Sequence, residues 1–132
     1  MMYMLDTNIC IYLLNSRSAS LLETVKSKSK LCMSAVSYAE LCFGIENGAA
    51  ERAKASWSQL GLFVRLVEVL PFSDSAGKNY GKIRAYLKKK GMIIGNNDLF
   101  IAAHARSENA VLVSNNMREF QRIPDLKLEN WV

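Results

Sequence analysis

Short apolar runs alternate with helical patterns from one end of the chain to the other, and this order leaves few folds open. Each run has three or four residues and almost no charge, which is typical of strands buried on both faces. The runs lie at residues 3–5, 31–33, 67–70, 111–113 and 126–128. Because such strands are joined by helices, we expect one domain over residues 1–132 with an α/β fold. Its predicted form is a three-layer α/β/α sandwich with a mainly parallel central sheet.

Helical patterns and their end signals occupy the spaces between the runs. Ser34 and Ser73 are candidate N-caps, and Gly91 is expected to end the helix that Ser73 begins. The stretch GNNDLFIAAHA predicts a buried helix that is apolar on nearly every side and has Asp98 in its first turn. Further helices are expected after Asp6 and over residues 18–26, 35–46, 50–62 and 116–120.

The composition favours a globular protein of the reducing cytosol. Half of the residues are hydrophobic, which excludes intrinsic disorder. The cysteines Cys10, Cys32 and Cys42 are too few and oddly numbered for a disulfide framework. The chain begins without a basic leader and has no long apolar run, so neither secretion nor membrane insertion is expected. The net charge of +5 and the pI near 9.2 suit a polyanionic partner without identifying one.

Four carboxylates follow strands or open helices, and ligands of open parallel sheets bind beyond the carboxyl ends of strands. Asp6 ends the first strand, Glu40 lies on the helix after the second, and Asp98 opens the buried helix. Glu119 comes one turn after Asn116, beyond the fourth strand. If these acids converge, their repulsion would recruit a divalent cation. Ligands that are all oxygen favour Mg²⁺ or Mn²⁺ over zinc.

Each acid also has a structural interpretation. Asp6 could cap the first helix, Asp98 could interact with a helix dipole, Glu40 could pair with a lysine, and Glu119 could pair with nearby arginines. The occurrence of several acids in apolar surroundings beyond strands is what favours a shared site. His104 lies about 240° around its helix from Asp98, at 3.6 residues per turn, so we interpret it as structural. Histidine acid–base chemistry is therefore not expected.

Four segments resemble, in their order and spacing, the motifs of the PIN-domain ribonucleases and, within them, the VapC-type toxins of toxin–antitoxin pairs. The segments are MLDTNICIY, SYAELCFGIENG, IGNNDLFIAAHA and LVSNNMREF. The resemblance implies a cytoplasmic, Mg²⁺-dependent endoribonuclease that cuts tRNA or another structured RNA. It also implies a homodimer that a VapB-type antitoxin holds inactive, with operator DNA bound only through the antitoxin. The metal ligands that it implies are Asp6, Glu40 and Asp98.

One position departs from the family pattern. Many PIN domains carry an aspartate where this chain has Asn116, so Glu119 is the predicted fourth catalytic acid. Residues predicted to bind substrate through hydrogen bonds at the rim are Thr7, Asn8, Asn96 and Asn116. Candidates for gripping phosphates are Arg84, Lys88 and Lys89. Aromatic residues that could line a groove for the antitoxin are Tyr12, Trp57 and Phe63.

Competing functions are weaker matches to these residues. A phosphatase of the haloacid dehalogenase type needs a second acid two residues after the first, and this chain has Asn8 there. A Rossmann-type nucleotide binder needs a glycine fingerprint after the first strand, which is missing. A PIN-like RNA-binding module with a structural metal and little or no catalysis remains the alternative, because Asn116 replaces an acid.

Overall fold

The central sheet of the protein has five strands that all run parallel. The computed structural model describes residues 1–15 and 18–132. The strands are β1 (Tyr3–Leu5), β2 (Leu31–Ser34), β3 (Glu68–Leu70), β4 (Val111–Val113) and β5 (Lys127–Glu129). They lie in the order β3-β2-β1-β4-β5, with parallel pairing between every two neighbours. The predicted parallel α/β fold is therefore confirmed.

The helices connect these strands largely as the sequence predicts. They are α1 (Thr7–Leu14), α2 (Ala19–Lys26), α3 (Ala35–Glu46), α4 (Ala50–Leu66), α5 (Asp74–Lys89), α6 (Asn96–Ser107) and α7 (Met117–Phe120). Ser34 and Ser73 cap α3 and α5, and Gly91 follows α5 with a φ of 67°. Helix α4 continues to Leu66 rather than 62, because no proline or glycine interrupts the chain after Gly61.

Alternate residues of each strand point to opposite sides of the sheet, as the pleat requires. Met4 and Leu112 pack in a core with residues of α5, α6 and α7. Leu5 and Val113 pack in a second core with residues of α1, α2, α3 and α4. The sheet is thus covered by helices on both faces, which accounts for the absence of charge in the inner strands β1, β2 and β4.

The order of the strands creates a switch point beside β1. From β1 the chain moves outward through β2 to β3, and then crosses back to add β4 and β5 on the other side of β1. Ligands of open α/β sheets bind at such a point, outside the carboxyl ends of the strands. None of the helices in the described part of the chain has the length and apolar character needed to cross a bilayer.

Candidate active site

A cavity of about 980 Å³ lies at the carboxyl edge of the sheet, beside the switch point. Three of the predicted acids, Asp6, Glu40 and Asp98, line it together. They come from the end of β1, from the middle of α3 and from the first turn of α6. The sequence prediction that these carboxylates from separate elements share one crevice is therefore met by the structure.

Asp6 serves the fold and lines the cavity as well. Its side chain is only 3% exposed, and its Oδ1 accepts a hydrogen bond from the Ile9 backbone N–H at 2.9 Å, which caps α1. Burial raises the pKa of the Asp6 carboxyl, and hydrogen bonds from Ser114 and Ile9 oppose that rise. The negative charge of Glu40 raises it further. The capping role foreseen as an alternative is thus real, and it fixes this carboxylate at the edge of the cavity.

Glu40 is held by neutral donors. Its Oε1 accepts a hydrogen bond from the Thr7 hydroxyl at 2.5 Å, and its Oε2 accepts one from the Asn97 side-chain amide at 3.2 Å. The Thr7 oxygen also lies 3.1 Å from Ser37 Oγ. Within residues 1–15 and 18–132, no lysine pairs with Glu40, so the proposed structural pairing is not observed.

Asp98 is the most perturbed carboxylate of the site. Burial raises its pKa to about 6, and the charges of Asp6, Glu119 and Glu40 add to the increase. A hydrogen bond from Asn116 acts in the opposite direction. An aspartate that is partly buried among three other acids keeps a negative charge only at a cost in free energy, and such groups are concentrated at functional sites.

The fourth acid is joined to the others by an asparagine. The Asn116 side-chain Nδ2 donates to Glu119 Oε2 at 2.6 Å and lies 3.4 Å from Asp98 Oδ2. This orientation of the amide is required, because its oxygen would repel both carboxylates. Glu119 does not line the cavity itself but lies behind Asn116. Arg122, which the sequence offered as its partner, donates instead to the Ile93 carbonyl at 2.9 Å.

The rim of the cavity differs from prediction at two asparagines. Thr7 and Asn8 line the cavity, but Asn96 and Asn116 do not, and Asn116 lies between Asp98 and Glu119. Asn96 Oδ1 instead accepts a hydrogen bond from the Tyr80 hydroxyl at 2.8 Å, and the next residue, Asn97, takes the predicted place. Successive helix positions differ by about 100°, so the first residue of α6 decides which asparagine faces the acids.

The donor set fits a hard divalent cation in chemistry, although the side chains do not form a closed ligand cage. All candidate ligands are carboxylate or amide oxygens, which Mg²⁺ and Mn²⁺ prefer. Within residues 1–15 and 18–132, no lysine or arginine forms an ion pair with Asp6, Glu40, Asp98 or Glu119. In the same ranges no three Asp, Glu, His or Cys side chains are already arranged around one point. Asp6, Glu40 and Asp98 all line the one cavity, so they are the candidate ligands.

His104 lies outside the cavity, as predicted. Its ring is fully buried, and Nδ1 lies 2.7 Å from Ser34 Oγ, the oxygen that caps α3. Nε2 has no hydrogen-bond partner among the described residues, and it lies 4.0 Å from Glu108 Oε1. Burial lowers the pKa of His104, so the imidazole is neutral and joins α6 to the start of α3.

The candidate phosphate-binding residues lie outside the cavity lining. Arg84 is held by its Nη1, which donates to the Tyr80 hydroxyl at 2.9 Å. Lys88 and Lys89 are exposed in the last turn of α5. The sequence reasoning missed three aromatic residues that do line the cavity, namely Phe43, Phe72 and Phe100. Their apolar character pointed to the core, and only the tertiary fold distinguishes a core ring from one in a crevice.

A second, smaller cavity of about 350 Å³ lies between α1, α3 and α4. Tyr12, Trp57 and Phe63, which were predicted to line a groove for the antitoxin, do not line this cavity. Tyr12 and Phe63 are partly buried against the core, and Trp57 Nε1 donates to Glu46 Oε2 at 3.3 Å. The lining residues are instead small or aliphatic in most cases, and they include Ile11, Leu14, Leu41, Gly44, Ala49 and Leu60.

A model of the PIN domain family matches residues 3–126, and the chain belongs to this family. It is 44% identical over 134 residues to Ribonuclease VapC2 of Rickettsia felis. The aligned region covers 99% of this chain and 98% of that protein. It is 37% identical over 130 residues to the tRNA(fMet)-specific endonuclease VapC of Shigella flexneri, with 98% and 97% covered. Its similarity is therefore to the VapC members of the family over their whole length.

Solved structures agree with this relationship. The crystal structure of VapBC2 from Rickettsia felis, bound to a DNA fragment from their promoter, matches with a TM-score of 0.91 at 42% identity, with 100% of both chains covered. The DNA-bound VapBC of Salmonella typhimurium matches with a TM-score of 0.93 at 35% identity, over 100% of this chain and 99% of that one. The PIN fold that the sequence motifs implied is confirmed.

Proposed function

We propose that the protein is a metal-dependent endoribonuclease toxin of a VapBC-type pair, which hydrolyses phosphodiester bonds of tRNA or another structured RNA. The observation that carries this proposal is the gathering of Asp6, Glu40 and Asp98 in one cavity of a PIN fold, with Glu119 behind them. The names of the full-length relatives, ribonuclease and tRNA endonuclease, support the class of reaction and the kind of substrate.

Asp6, Glu40 and Asp98 would hold the Mg²⁺ ion, and Mn²⁺ suits the same oxygens. When bound, such an ion lowers the pKa of a water molecule and offsets charge that builds on the phosphoryl oxygens. The chain itself positions the carboxylates. Asp6 is fixed by its capping bond to Ile9, and the Asn116 side-chain amide bridges Asp98 and Glu119.

Glu40 is the residue best placed to accept the proton of the attacking water. Its two oxygens are oriented by Thr7 and Asn97, both of which are neutral donors. Asn8 is exposed at the rim, where its amide can bond to the RNA backbone. Arg84 and the lysines of α5 would contribute the salt-dependent part of the affinity for RNA.

The smaller cavity is the proposed binding groove for a VapB-type antitoxin. It is lined mainly by apolar side chains of three helices, as a groove for an amphipathic segment requires. Ile11 and Glu40 line both cavities, so a segment that fills the groove reaches the acids directly. An arginine carried there would find uncompensated carboxylates to bond. We also propose a homodimer that meets operator DNA only through the antitoxin, in agreement with the DNA-bound VapBC relatives.

The function is tested with the purified chain, freed from any antitoxin, and total tRNA in Mg²⁺. We expect cleavage that EDTA abolishes and that falls at least about a thousandfold in Asp98→Asn, since loss of a ligand to the catalytic ion removes about 4 kcal/mol of transition-state stabilisation. Equal cleavage by both proteins, or cleavage in EDTA, would exclude the proposed mechanism.

The competing function, an RNA-binding PIN module with a structural ion, rests on Asn116, which adds no charged ligand at the fourth position. It predicts that RNA binds without being cut. Binding of tRNA by the wild type, together with intact RNA ends after long incubation in Mg²⁺, would favour this module over the nuclease.

A further inference from the structure

We propose that the aromatic wall of the large cavity, formed by Phe43, Phe72 and Phe100, stacks against an unpaired RNA base next to the bond that is cut. This inference rests on the proposed nuclease function and specifies its substrate as a single-stranded or looped segment. The cavity volume of about 980 Å³ lies near the upper end of the range for small-molecule pockets, roughly 300 to 1,000 Å³. One ion and one phosphate would leave much of that space unfilled.

Phe43 is the exposed residue of the wall. It lies three residues after Glu40 on α3, on the same side of the helix, and it lines the same cavity. Its side chain is 66% exposed. In the described part of the chain no other aromatic ring packs against it. An exposed phenylalanine beside the acids contributes little to the core, but it offers a free face for stacking.

Phe72 and Phe100 form the ordered part of the wall. Their ring centroids are 5.4 Å apart with an interplanar angle of 82°, an edge-to-face contact. Phe100 is stacked on Tyr80 at 4.2 Å and 14°, and Phe72 meets the His104 ring edge-on at 5.5 Å. Phe100 follows Asp98 by two residues on α6. Because these rings hold one another in place, a base that enters the cavity meets a surface that is already organised.

A cation lies behind this wall. The Arg84 guanidinium is 5.9 Å from the centroid of the Tyr80 ring, and its Nη1 donates to the Tyr80 hydroxyl at 2.9 Å. That hydroxyl in turn donates to Asn96. Arg84 therefore lies behind Phe100 and Tyr80, outside the residues that line the cavity. A phosphate beyond the stacked base would meet a positive charge there, which balances the repulsion from the acids.

A base reaches such rings only outside a duplex. Bases inside a helix are stacked on their neighbours, whereas those of loops and single strands are free to stack on aromatic side chains. Each base–aromatic contact is worth about 1 to 3 kcal/mol and depends little on the identity of the base. The wall therefore selects exposed bases, while the sequence of the RNA is left to other contacts. A polypeptide is the less suitable occupant, because the apolar groove between α1, α3 and α4 meets the cavity at Ile11 and Glu40 and none of the three phenylalanines lines it.

The test measures stacking directly, without relying on catalysis. A short single-stranded RNA that contains a fluorescent purine analogue is titrated with Asp98→Asn, in which cleavage is blocked. Stacking on a ring quenches the analogue, so we expect a strong loss of fluorescence for the analogue next to the cut bond. Adding Phe43→Leu should weaken binding about tenfold and remove most of the quenching. Phe43→Trp should restore both, since it supplies another aromatic face.

Tyr86→Leu is the matched control. Tyr86 is also a partly exposed aromatic residue, but it lies on α5 and lines neither cavity. In proteins that retain Asp98, Phe43→Leu should lower kcat/KM on a looped RNA about tenfold. Tyr86→Leu should leave kcat/KM unchanged. The same cut sequence placed inside a stem should resist cleavage.

Three results would overturn the inference, and one result would instead refute the function on which it rests. The wall is not a base site if Phe43→Leu behaves like Tyr86→Leu, or if stem and loop are cut equally. The same holds if Phe43→Leu weakens only the binding of the antitoxin, which would make the wall a protein-binding surface. If the wild type cuts no RNA at all, the proposed function has failed.

Discussion

Helix α6 carries Asp98 near one end and His104 near the other, and the surroundings of these two side chains are opposite in kind. Near its C-terminal end, His104 is buried, neutral and bonded to Ser34. At its N-terminal end, Asp98 lies among Asp6, Glu40 and Glu119, and their charges and its burial raise its pKa to about 6. The nearest donor, Asn116, is at 3.4 Å and is shared with Glu119.

The difference separates polar groups that serve the fold from those that serve a ligand. Near His104 the chain provides its own partners, and Arg106 likewise donates to the Asn79 side chain at 2.7 Å and to the Pro124 carbonyl at 3.1 Å. Near Asp98 it brings like charges together and supplies no ion pair from the described residues. Like charges that are held close together lower the stability of the folded protein. They are typical of sites where a ligand needs those charges.

The largest stability effect is expected at the His104 end. Ser34→Ala removes the cap of α3 and leaves both ring nitrogens of His104 buried without a partner. We expect a loss of about 2 to 3 kcal/mol in the free energy of unfolding, which lowers Tm by roughly 8 to 12 °C. Calorimetry at neutral pH measures this change.

Ser73→Ala is the control for the cap alone, because Ser73 accepts from the Ala76 N–H at 3.3 Å and has no buried partner among the described residues. It should lower Tm by only about 4 °C. If the two variants melt at the same temperature, the bond to His104 adds nothing and the contrast between the two ends of α6 is lost.

A second prediction concerns the neutral donor between the acids. Asn116→Asp removes the N–H groups that Glu119 and Asp98 accept, and it adds a negative charge beside them. We expect Mg²⁺ to bind about tenfold more tightly, because another carboxylate faces the ion. Without Mg²⁺ the variant should be less stable than the wild type. Titration calorimetry gives the first quantity and thermal melting in EDTA gives the second.

Asn115→Asp makes the same change of charge one residue earlier. Asn115 is exposed and donates to the Tyr12 hydroxyl at 3.2 Å rather than to an acid. It should leave the Mg²⁺ affinity within about twofold of the wild type. Equal tightening in both variants would show that only the net charge matters and that Asn116 has no special position.

The smallest effect has the clearest sign. The pKa of Asp98 is about 6 in the folded protein, above the value of about 3.9 in an unfolded chain. The stability linked to its proton is therefore fully present below about pH 4 and is lost as the pH rises through about 6. Asp98→Asn escapes this loss. In EDTA near neutral pH we expect its Tm to exceed that of the wild type by about 2 to 5 °C, after allowance for solvent screening.

This gain should disappear near pH 4, about where the unfolded carboxyl titrates. Asp125→Asn is the control, because Asp125 is exposed and its φ of 62° is one that asparagine adopts readily. Its Tm should follow the wild type at every pH. An Asp98→Asn protein that is less stable than the wild type near neutrality would show that Asp98 is a structural residue like His104.

Much of the architecture follows from the sequence. Short apolar runs and helix caps such as Ser34 and Ser73 define the elements, and a parallel sheet brings the residues after its strands to one edge. The sequence alone therefore predicts that Asp6, Glu40 and Asp98 lie close together. The position of Glu119 behind Asn116 could not be predicted, because it depends on the path of a four-residue helix.

The remaining differences between the predicted and the observed site depend on geometry that the local residue pattern does not contain. Asn96 and Asn97 are equivalent in type, and only the helix start at Gly95 decides which faces the acids. Phe43 could not be distinguished from a core residue, since an exposed ring in a crevice and a buried ring have the same local pattern. Trp57 was expected in a groove that other residues of α1, α3 and α4 form.

The position of β1 in the middle of the sheet determines when the cavity can exist. Tyr3 and Leu5 pair with Val111 and Val113, so the first strand gains one of its two neighbours only after most of the chain has been synthesised. Contacts between residues so far apart in sequence also close slowly. A chain that ends before Val111 has β1, β2 and β3 and contains Asp6 and Glu40, but it lacks the Val113 carbonyl that accepts from the Asp6 backbone N–H. The ribosome therefore completes almost the entire protein before the backbone of Asp6 is held from both sides and Glu119 joins the other acids.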